Sequence, residues 1–202
     1  VMHISGLSIV DFITGIGCPY SCTFCHNHLH QKLYKGKGAF VRKKSVSRVI
    51  QEIETAKERF ILKRVHFSDD LFMFDKNWLM AFLKIYRQKI GLPFSCNIRI
   101  DQVDEDTIKE MADSKCVGIM FGLESGSEKI RNKILNKGLK QEVIIDNARI
   151  IKRYGIRLVT SNIFGLPEET LADAMKTLEI NQKIKPFCTR PNILLPYPKT
   201  KI

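Results

Sequence analysis

Three cysteines in one short loop limit what this chain can form more than any other feature. Cys18, Cys22 and Cys25 follow the spacing C-x3-C-x2-C, glycines precede them, and Phe24 lies directly before the last. Thiolates bind soft metals, and three on a tight loop can hold one face of an iron–sulfur cluster. A structural zinc site prefers four protein ligands, and three clustered cysteines cannot all pair in disulfides. The spacing therefore favours a cluster with one iron left open to another ligand.

Length and composition indicate one globular domain. The 202 residues are 44% hydrophobic and 27% charged, and no apolar run approaches the ~18 residues that a membrane span needs. The chain begins at Val1 without a signal peptide and ends just past a predicted strand. We therefore interpret residues 1–202 as one core domain, excerpted from a longer protein. Six cysteines with free-thiolate spacing favour a reducing compartment, the cytoplasm, and no membrane partner is expected.

The net charge of +12 raises the question of a nucleic-acid partner. The 33 lysines and arginines are spread along the chain, mostly on the polar faces of predicted helices. Only the run from Arg42 to Lys44, with Lys35 and Lys37 before it, is dense. Nucleic acid is therefore not the favoured partner, although charge alone does not exclude it.

Apolar strands alternate with amphipathic helices along the whole chain. Helix N-caps are predicted at Ser45, Asp75 and Asp104, and further helices over 127–135, 141–154 and 169–183. Parallel strands need crossovers and helices supply them, so the pattern predicts an α/β fold with a parallel sheet. Six strands are too few for an eight-stranded barrel of about 250 residues, and they fit a partial (β/α)6 TIM-like barrel, open on one side. The six strands are predicted over 9–14, 64–67, 94–100, 117–123, 156–164 and 192–195.

Polar residues follow the strands at their carboxyl ends, where function is expected in such folds. Asp69 and Asp70 end the second strand, and two adjacent carboxylates need a cation or hydrogen-bond donors; alternatively, Asp70 caps a short turn. Alternation in the third strand puts Ser95, Asn97 and Arg99 on the barrel interior. Arg99 would then need an anionic partner, either a bound ligand or Asp69, unless it forms a structural ion pair at the rim.

The fourth strand presents a carboxylate beside small residues. Gly118, Gly122 and Glu124 share one face, and the small residues leave room for a ligand. Glu124 could accept hydrogen bonds from the hydroxyl groups of that ligand. The alternative for Glu124 is an acid at a helix N-terminus. Lys137, which follows the next helix, is either a ligand contact or a solvated lysine at a helix end.

Taken together, these stretches resemble the radical S-adenosylmethionine (SAM) superfamily from Val10 to Thr200. Four positions depart from the family pattern: Ile16 stands where many relatives have arginine, and Ser161, Glu168 and Lys199 replace glycines. The segments that carry the resemblance are the cysteine loop, FSDDLF (67–72), RIDQVDE (99–105), GLESGS (122–127), LNKG (135–138), GLP (165–167) and PYPKT (196–200).

The resemblance implies a [4Fe–4S] cluster on the three cysteines and SAM bound to its open iron. It implies reductive cleavage of SAM to a 5′-deoxyadenosyl radical that abstracts hydrogen from an unknown substrate, with an electron donor such as flavodoxin or ferredoxin. No catalytic residue beyond the cluster ligands is implied. Asp69 and Asp70 would meet the SAM amino group, Glu124 the ribose, Lys137 the carboxylate and Ile163 the adenine. The implied SAM-binding residues are Phe24, Asp69, Asp70, Asn97, Glu124, Lys137, Ser161 and Ile163.

Within that family, the segments FSDDLF and GLESGS favour the branch that carries a cobalamin-binding domain before the barrel, and cobalamin would then bind outside this chain. The alternative enzyme is similar to a tRNA methylthiotransferase. An alternative of another class is a zinc-bound nucleic-acid-binding module, with His26, His28 and His30 as possible ligands. These histidines are more simply read as lying on the surface or towards a substrate. The remaining cysteines are predicted to be buried core thiols: Cys96, Cys116 and Cys188.

Overall fold

The computed structural model describes residues 9–202; the first eight residues of the predicted domain lie outside the described part. Its strands and helices alternate as the sequence pattern predicts. A 3₁₀ turn (Ile100–Gln102) and a π-helical turn (Ile130–Ile134) connect some of them. In chain order the elements are β1 (Ile9–Phe12), β2 (Gly15–Ile16), α1 (Asn27–Leu33), β3 (Arg42–Lys43), α2 (Val46–Arg59), β4 (Arg64–Phe67), α3 (Lys76–Lys89), β5 (Phe94–Ile98), α4 (Glu105–Asp113), β6 (Cys116–Glu124), α5 (Gln141–Arg153), β7 (Arg157–Phe164), α6 (Leu171–Ile184) and β8 (Cys188–Ile193).

Six strands form one sheet in the order β1-β4-β5-β6-β7-β8, and every neighbouring pair is parallel. The helical crossovers make this arrangement possible, because parallel neighbours cannot be joined by a tight turn. Among residues 9–202 the sheet does not close: β1 and β8 each have one neighbour in it. The predicted partial (β/α)6 barrel, open on one side, is therefore confirmed. The short antiparallel pair β2–β3 was not predicted, and it frames the cysteine loop.

The predicted N-caps form as expected. Ser45, Asp75 and Asp104 each accept a hydrogen bond from the backbone N–H three residues later. The helix α1 was not predicted, and two of the predicted helices differ in the structure. Thr170 forms a capping box with Asp173, so α6 begins at Leu171 rather than at residue 169. The segment 127–135 does not form a regular α-helix: the Leu135 N–H donates to the Ile130 carbonyl, a π-type bond.

Strand alternation separates an apolar layer from a polar concave face. In β5, Phe94, Cys96 and Ile98 are buried, whereas Ser95 and Asn97 are half-buried on the opposite face, as predicted. The apolar side chains pack against the helices in a core whose centre is aromatic. That aromatic group comprises Phe67, Phe72, Phe82, Tyr86 and Phe94.

The last strand corrects one expectation about the cysteines. Cys96 and Cys116 are buried as predicted, but Cys188 is exposed. The reason is that β8 begins at Cys188 and is the edge strand of the sheet, with exposed side chains along its whole length. Pro191 lies in this strand, at a position that an edge strand tolerates. Within residues 9–202, no helix is long and apolar enough to span a membrane.

Gly126 allows α6 to approach the end of β6 closely. A Cβ atom built there would lie 2.2 Å from the Lys176 carbonyl oxygen, and the Gly126 N–H donates to Thr177 Oγ1 at 2.7 Å. We expect Gly126→Ala to lower the free energy of unfolding by ~1–3 kcal/mol, because the backbone of α6 must move. Urea denaturation measures this. Gly118→Ala is the matched control, since its Cβ would make an ordinary 3.5 Å contact with Ser95; equal losses in both variants would contradict the explanation.

Candidate active site

The cysteine loop begins at a backbone position that favours glycine. Gly17 has a φ of +89°, and a Cβ there would lie 2.6 Å from the Phe40 carbonyl oxygen. The Gly17 N–H donates to Asp70 Oδ2 at 3.1 Å. Asp70, one of the two predicted carboxylates, therefore reaches the residue just before Cys18 and ties the end of β4 to the loop.

Helix α1 supports the loop from one side. Gln31 Nε2 donates to the carbonyl oxygens of Cys18 at 2.6 Å and Tyr20 at 3.2 Å. His28 Nδ1 lies 2.6 Å from the Cys25 carbonyl oxygen. His28 is buried, so the expected place on the surface is wrong for this residue, whereas His26 and His30 are exposed.

The segment that carries Lys137 holds the loop from the other side. The Thr23 N–H donates to the Leu135 carbonyl at 3.1 Å, and Thr23 Oγ1 donates to the Ile134 carbonyl at 2.7 Å. Asn136 Nδ2 donates to the Ser21 carbonyl at 3.1 Å. The loop is thus fixed between two elements that are more than a hundred residues apart in sequence.

The three thiols suit the ligation of soft metal. All are free and half-buried. Burial raises the pKa of Cys18 to about 11, and it also raises the pKa of Cys22. A group of three thiolates is therefore costly here without positive charge, which iron would supply. Within residues 9–202, no three His, Cys, Asp or Glu side chains are arranged to hold a single metal ion. Three thiols on one loop are nevertheless the kind of donor set that an iron–sulfur cluster takes.

Asp69 forms an internal ion pair. Its carboxylate, 2% exposed, accepts from the Thr14 N–H at 3.1 Å, from Thr14 Oγ1 at 2.6 Å and from Lys43 Nζ at 3.0 Å. Burial lowers the pKa of Lys43, and the negative charge of Asp69 offsets part of this effect by raising it. These contacts satisfy both carboxylate oxygens inside the protein. They favour a structural role for Asp69, in which it holds β1 and β3 against the end of β4.

The structure brings two predicted ligand contacts together as a buried ion pair. Lys137 Nζ lies 3.0 Å from Glu124 Oε1, and each side chain is 9% exposed. Glu124 has a φ of +63°, and its carboxylate lies over Gly122, where a Cβ would be 1.8 Å from Oε1. The Lys137 ammonium also lies 5.8 Å from the ring centroid of Phe24. The pair therefore stands directly beside the cysteine loop.

Arg99 has a protein partner, and that partner is not Asp69. Its Nε donates to both oxygens of Asp101 at 2.8 and 3.0 Å, and Nη2 donates to the Lys137 carbonyl. Its guanidinium carbon stands 3.8 Å from the ring centroid of Tyr20 in the cysteine loop. Arg99 thus connects the end of β5 to both sides of the site.

The remaining predicted contacts lie on the concave face. Asn97 Oδ1 is buried and has no hydrogen-bond partner among the described residues. Ser161 Oγ lies 3.5 Å from Asn192 Nδ2 of the edge strand. Ile163 is half-buried in a small apolar cluster that includes Phe24 and Leu166. Of these residues, Ile163 lies beside the cysteine loop, because its apolar cluster includes Phe24.

Sequence reasoning missed Arg131. Its side chain is fully buried and donates to the carbonyl oxygens of Ser125 at 2.8 Å, Gly126 at 3.3 Å and Leu139 at 2.9 Å. Burial lowers its pKa. These bonds fix the turn that follows Glu124. No local signal marks Arg131, because an arginine in a short polar helical segment normally points into solvent.

Comparison with known protein families decides between the alternatives left open by the spacing. A model described as "Radical SAM superfamily" matches residues 12–180. The chain belongs to the radical SAM superfamily. An uncharacterised methyltransferase of Pyrococcus horikoshii is 28% identical over 192 residues, which are 94% of this chain and 40% of the relative. A putative methylthiotransferase of Methanocaldococcus jannaschii is 28% identical over 170 residues, 80% of this radical SAM chain and 36% of the relative.

Solved structures share the fold of this radical SAM domain. The radical SAM methyltransferase TsrM from Kitasatospora setae, solved with cobalamin and a [4Fe–4S] cluster, superposes with a TM-score of 0.80. It is 19% identical, over 96% of this chain and 35% of TsrM. The cobalamin-dependent SAM radical enzyme OxsB has a TM-score of 0.68 at 19% identity, over 84% and 26% of the two chains. The chain thus spans at most 40% of the length of these relatives.

Proposed function

We propose that Cys18, Cys22 and Cys25 hold a [4Fe–4S] cluster and that the protein cleaves SAM reductively. When bound, such a cluster supplies one electron to SAM, which separates into methionine and a 5′-deoxyadenosyl radical that abstracts hydrogen from the substrate. The observation that carries the proposal is a three-thiol loop with no fourth cysteine nearby, in a chain of the radical SAM superfamily. We further propose that the electron comes from a flavodoxin or ferredoxin.

The residues around the loop would bind and orient SAM. Glu124 would accept hydrogen bonds from the ribose hydroxyls, and Lys137, which is its ion-pair partner, would face the SAM carboxylate. Asp70, partly exposed to solvent beside Gly17, would receive the amino group. Asp69 is assigned the supporting role described above. The two groups of the buried pair are fixed in place before SAM binds, so they can offer an acceptor to the ribose and a positive charge to the carboxylate at little cost in reorganisation.

The concave face would hold the rest of the molecule. Ile163 and Phe24 would contact the adenine side from their apolar cluster, and Asn97 and Ser161 would offer amide and hydroxyl groups. The unpaired Oδ1 of Asn97 supports this assignment, since a buried polar atom without a partner is costly. These residues bind and exclude water; the bond-breaking chemistry belongs to the cofactors.

Cobalamin-assisted methyl transfer is the reaction type that we propose within the family. Several relatives are named methyltransferases, among them a hopanoid C-2 methylase that is 28% identical over 92% of this chain. In this proposal residues 1–202 are the radical SAM core of a longer enzyme, and cobalamin binds to a domain outside them. The free thiols support a reducing, cytoplasmic location.

A methylthiotransferase is the second candidate. The putative methylthiotransferase from Methanocaldococcus jannaschii favours it, as does a tRNA-2-methylthio-N(6)-dimethylallyladenosine synthase that is 31% identical over 41% of the chain. This function would suit the basic charge of the chain. Methylthiolation of an RNA substrate, rather than methylation, would distinguish it.

Anaerobic incubation of the cluster-loaded protein with dithionite and SAM tests the proposal. We expect slow formation of 5′-deoxyadenosine and methionine even without the true substrate, measured by chromatography, and loss of both products in Cys25→Ala. If S-adenosylhomocysteine were the only product, the reaction would be polar methyl transfer and not radical initiation. Purified protein that holds zinc, with no iron or sulfide after reconstitution, would contradict the proposal and favour the zinc-bound module.

A further inference from the structure

We propose that Asn27 tunes the reduction potential of the cluster at this loop by donating a side-chain N–H to the sulfur of Cys25. The inference rests on the proposed function, because it requires a cluster there. Asn27 Nδ2 lies 3.6 Å from Cys25 Sγ, within hydrogen-bonding reach of a sulfur acceptor. Asn27 thus contacts the sulfur of a proposed cluster ligand. His28 and Gln31, which also support the loop, contact its backbone carbonyl oxygens instead.

The position of Asn27 is rigidly supported. It is the first residue of α1 and is 5% exposed. The next residue, His28, contacts the Cys25 carbonyl, and Gln31 on the following turn holds the Cys18 carbonyl. The orientation of the amide also follows from electrostatics, since its oxygen would repel a thiolate whereas its N–H group is attracted to it. Asn27 itself has little contact with solvent, so its amide is held in place by the protein.

The effect on potential has a direct physical cause. Reduction adds one electron to the cluster, and part of that charge resides on the thiolate sulfurs. An N–H donor stabilises the more negative, reduced state more than the oxidised one, and limited exposure strengthens the interaction. Asn27 should therefore make the cluster easier to reduce. The electron comes from the reductant, which is oxidised by one electron, and no covalent bond forms or breaks.

The test is a potentiometric titration of the reconstituted protein without SAM, followed by electron paramagnetic resonance. Asn27→Leu keeps the size of the side chain and removes the donor. We expect it to lower the equilibrium constant for reduction by about tenfold, which is about 59 mV for a one-electron couple. Asn27→Ser keeps a hydroxyl donor and should shift less. Asn27→Asp should shift most, because a carboxylate repels the reduced cluster.

Asn147→Leu is the matched control, since it makes the same substitution at a side chain that donates to the Ile100 carbonyl and not to the cysteine loop; its potential should equal that of the wild type. Unchanged potentials in fully loaded Asn27 variants would overturn the inference. If the leucine variant does not retain the cluster, the serine and aspartate variants decide, with serine expected at the higher potential. Loss of the cluster in all three would make Asn27 structural and reject the tuning role. A wild type that binds no cluster would reject the proposed function instead.

Discussion

Replacing Cys18, Cys22 or Cys25 with Ala, one at a time, is expected to abolish SAM cleavage. Each thiolate would ligate a different iron, so its loss removes a direct ligand and not merely a supporting contact. Loss of a supporting contact alone typically lowers metal affinity or activity by about 10–100-fold. Loss of a ligand should lower them by more than that. Iron and sulfide content and the visible absorbance of the reconstituted protein measure the effect.

The other cysteines provide matched controls for this experiment. Cys188→Ala changes an exposed thiol on the edge strand, and Cys96→Ala changes a buried thiol in the core. Both variants should keep full iron loading, although the second can lose some stability. Full loading and normal cleavage in Cys22→Ala would show that the loop is not the cluster site.

Glu124→Ala is expected to weaken SAM binding by ~1.5–3 kcal/mol, roughly 10–150-fold in dissociation constant. The variant removes the acceptor assigned to the ribose and also leaves the Lys137 ammonium buried without its ion-pair partner. Calorimetry on the cluster-loaded protein measures the affinity. The cluster spectrum should not change, because Glu124 is not a cluster ligand.

Glu128 offers the control for Glu124. It is an acidic residue four positions later, exposed to solvent at the turn, and Glu128→Ala should bind SAM as the wild type does. Comparable losses in the two variants would indicate a general charge effect. Unaltered affinity in Glu124→Ala would remove the proposed ribose contact, while leaving the cluster assignment in place.

The sequence alone determined the fold and the position of the site along the chain. Alternation of apolar strands and helices is a local property, and it predicted six parallel strands because only crossovers can join them. Asp75 and Asp104 cap their helices through hydrogen bonds to residues three positions later, so the starts of these helices could also be predicted from the sequence. The cysteine spacing is equally local. The face on which Asn97 lies could be predicted as well, because strand alternation has a fixed period.

Only the tertiary structure decided which charged groups meet. Lys43 and Asp69, or Glu124 and Lys137, are far enough apart in sequence that no local pattern pairs them. Such pairs form because a buried charge must find compensation from whichever element packs against it.

Tertiary packing also explains the residues whose surroundings the sequence did not predict. The buried Arg131 binds carbonyl oxygens that become available only where β6 ends and α6 approaches. Cys188 looks like a core thiol in sequence, but its strand lies at the sheet edge. Glu168 and Lys199, which replace glycines of the family pattern, both keep a positive φ of 60° and 65°. Packing and strand order, which are properties of the whole chain, set these outcomes.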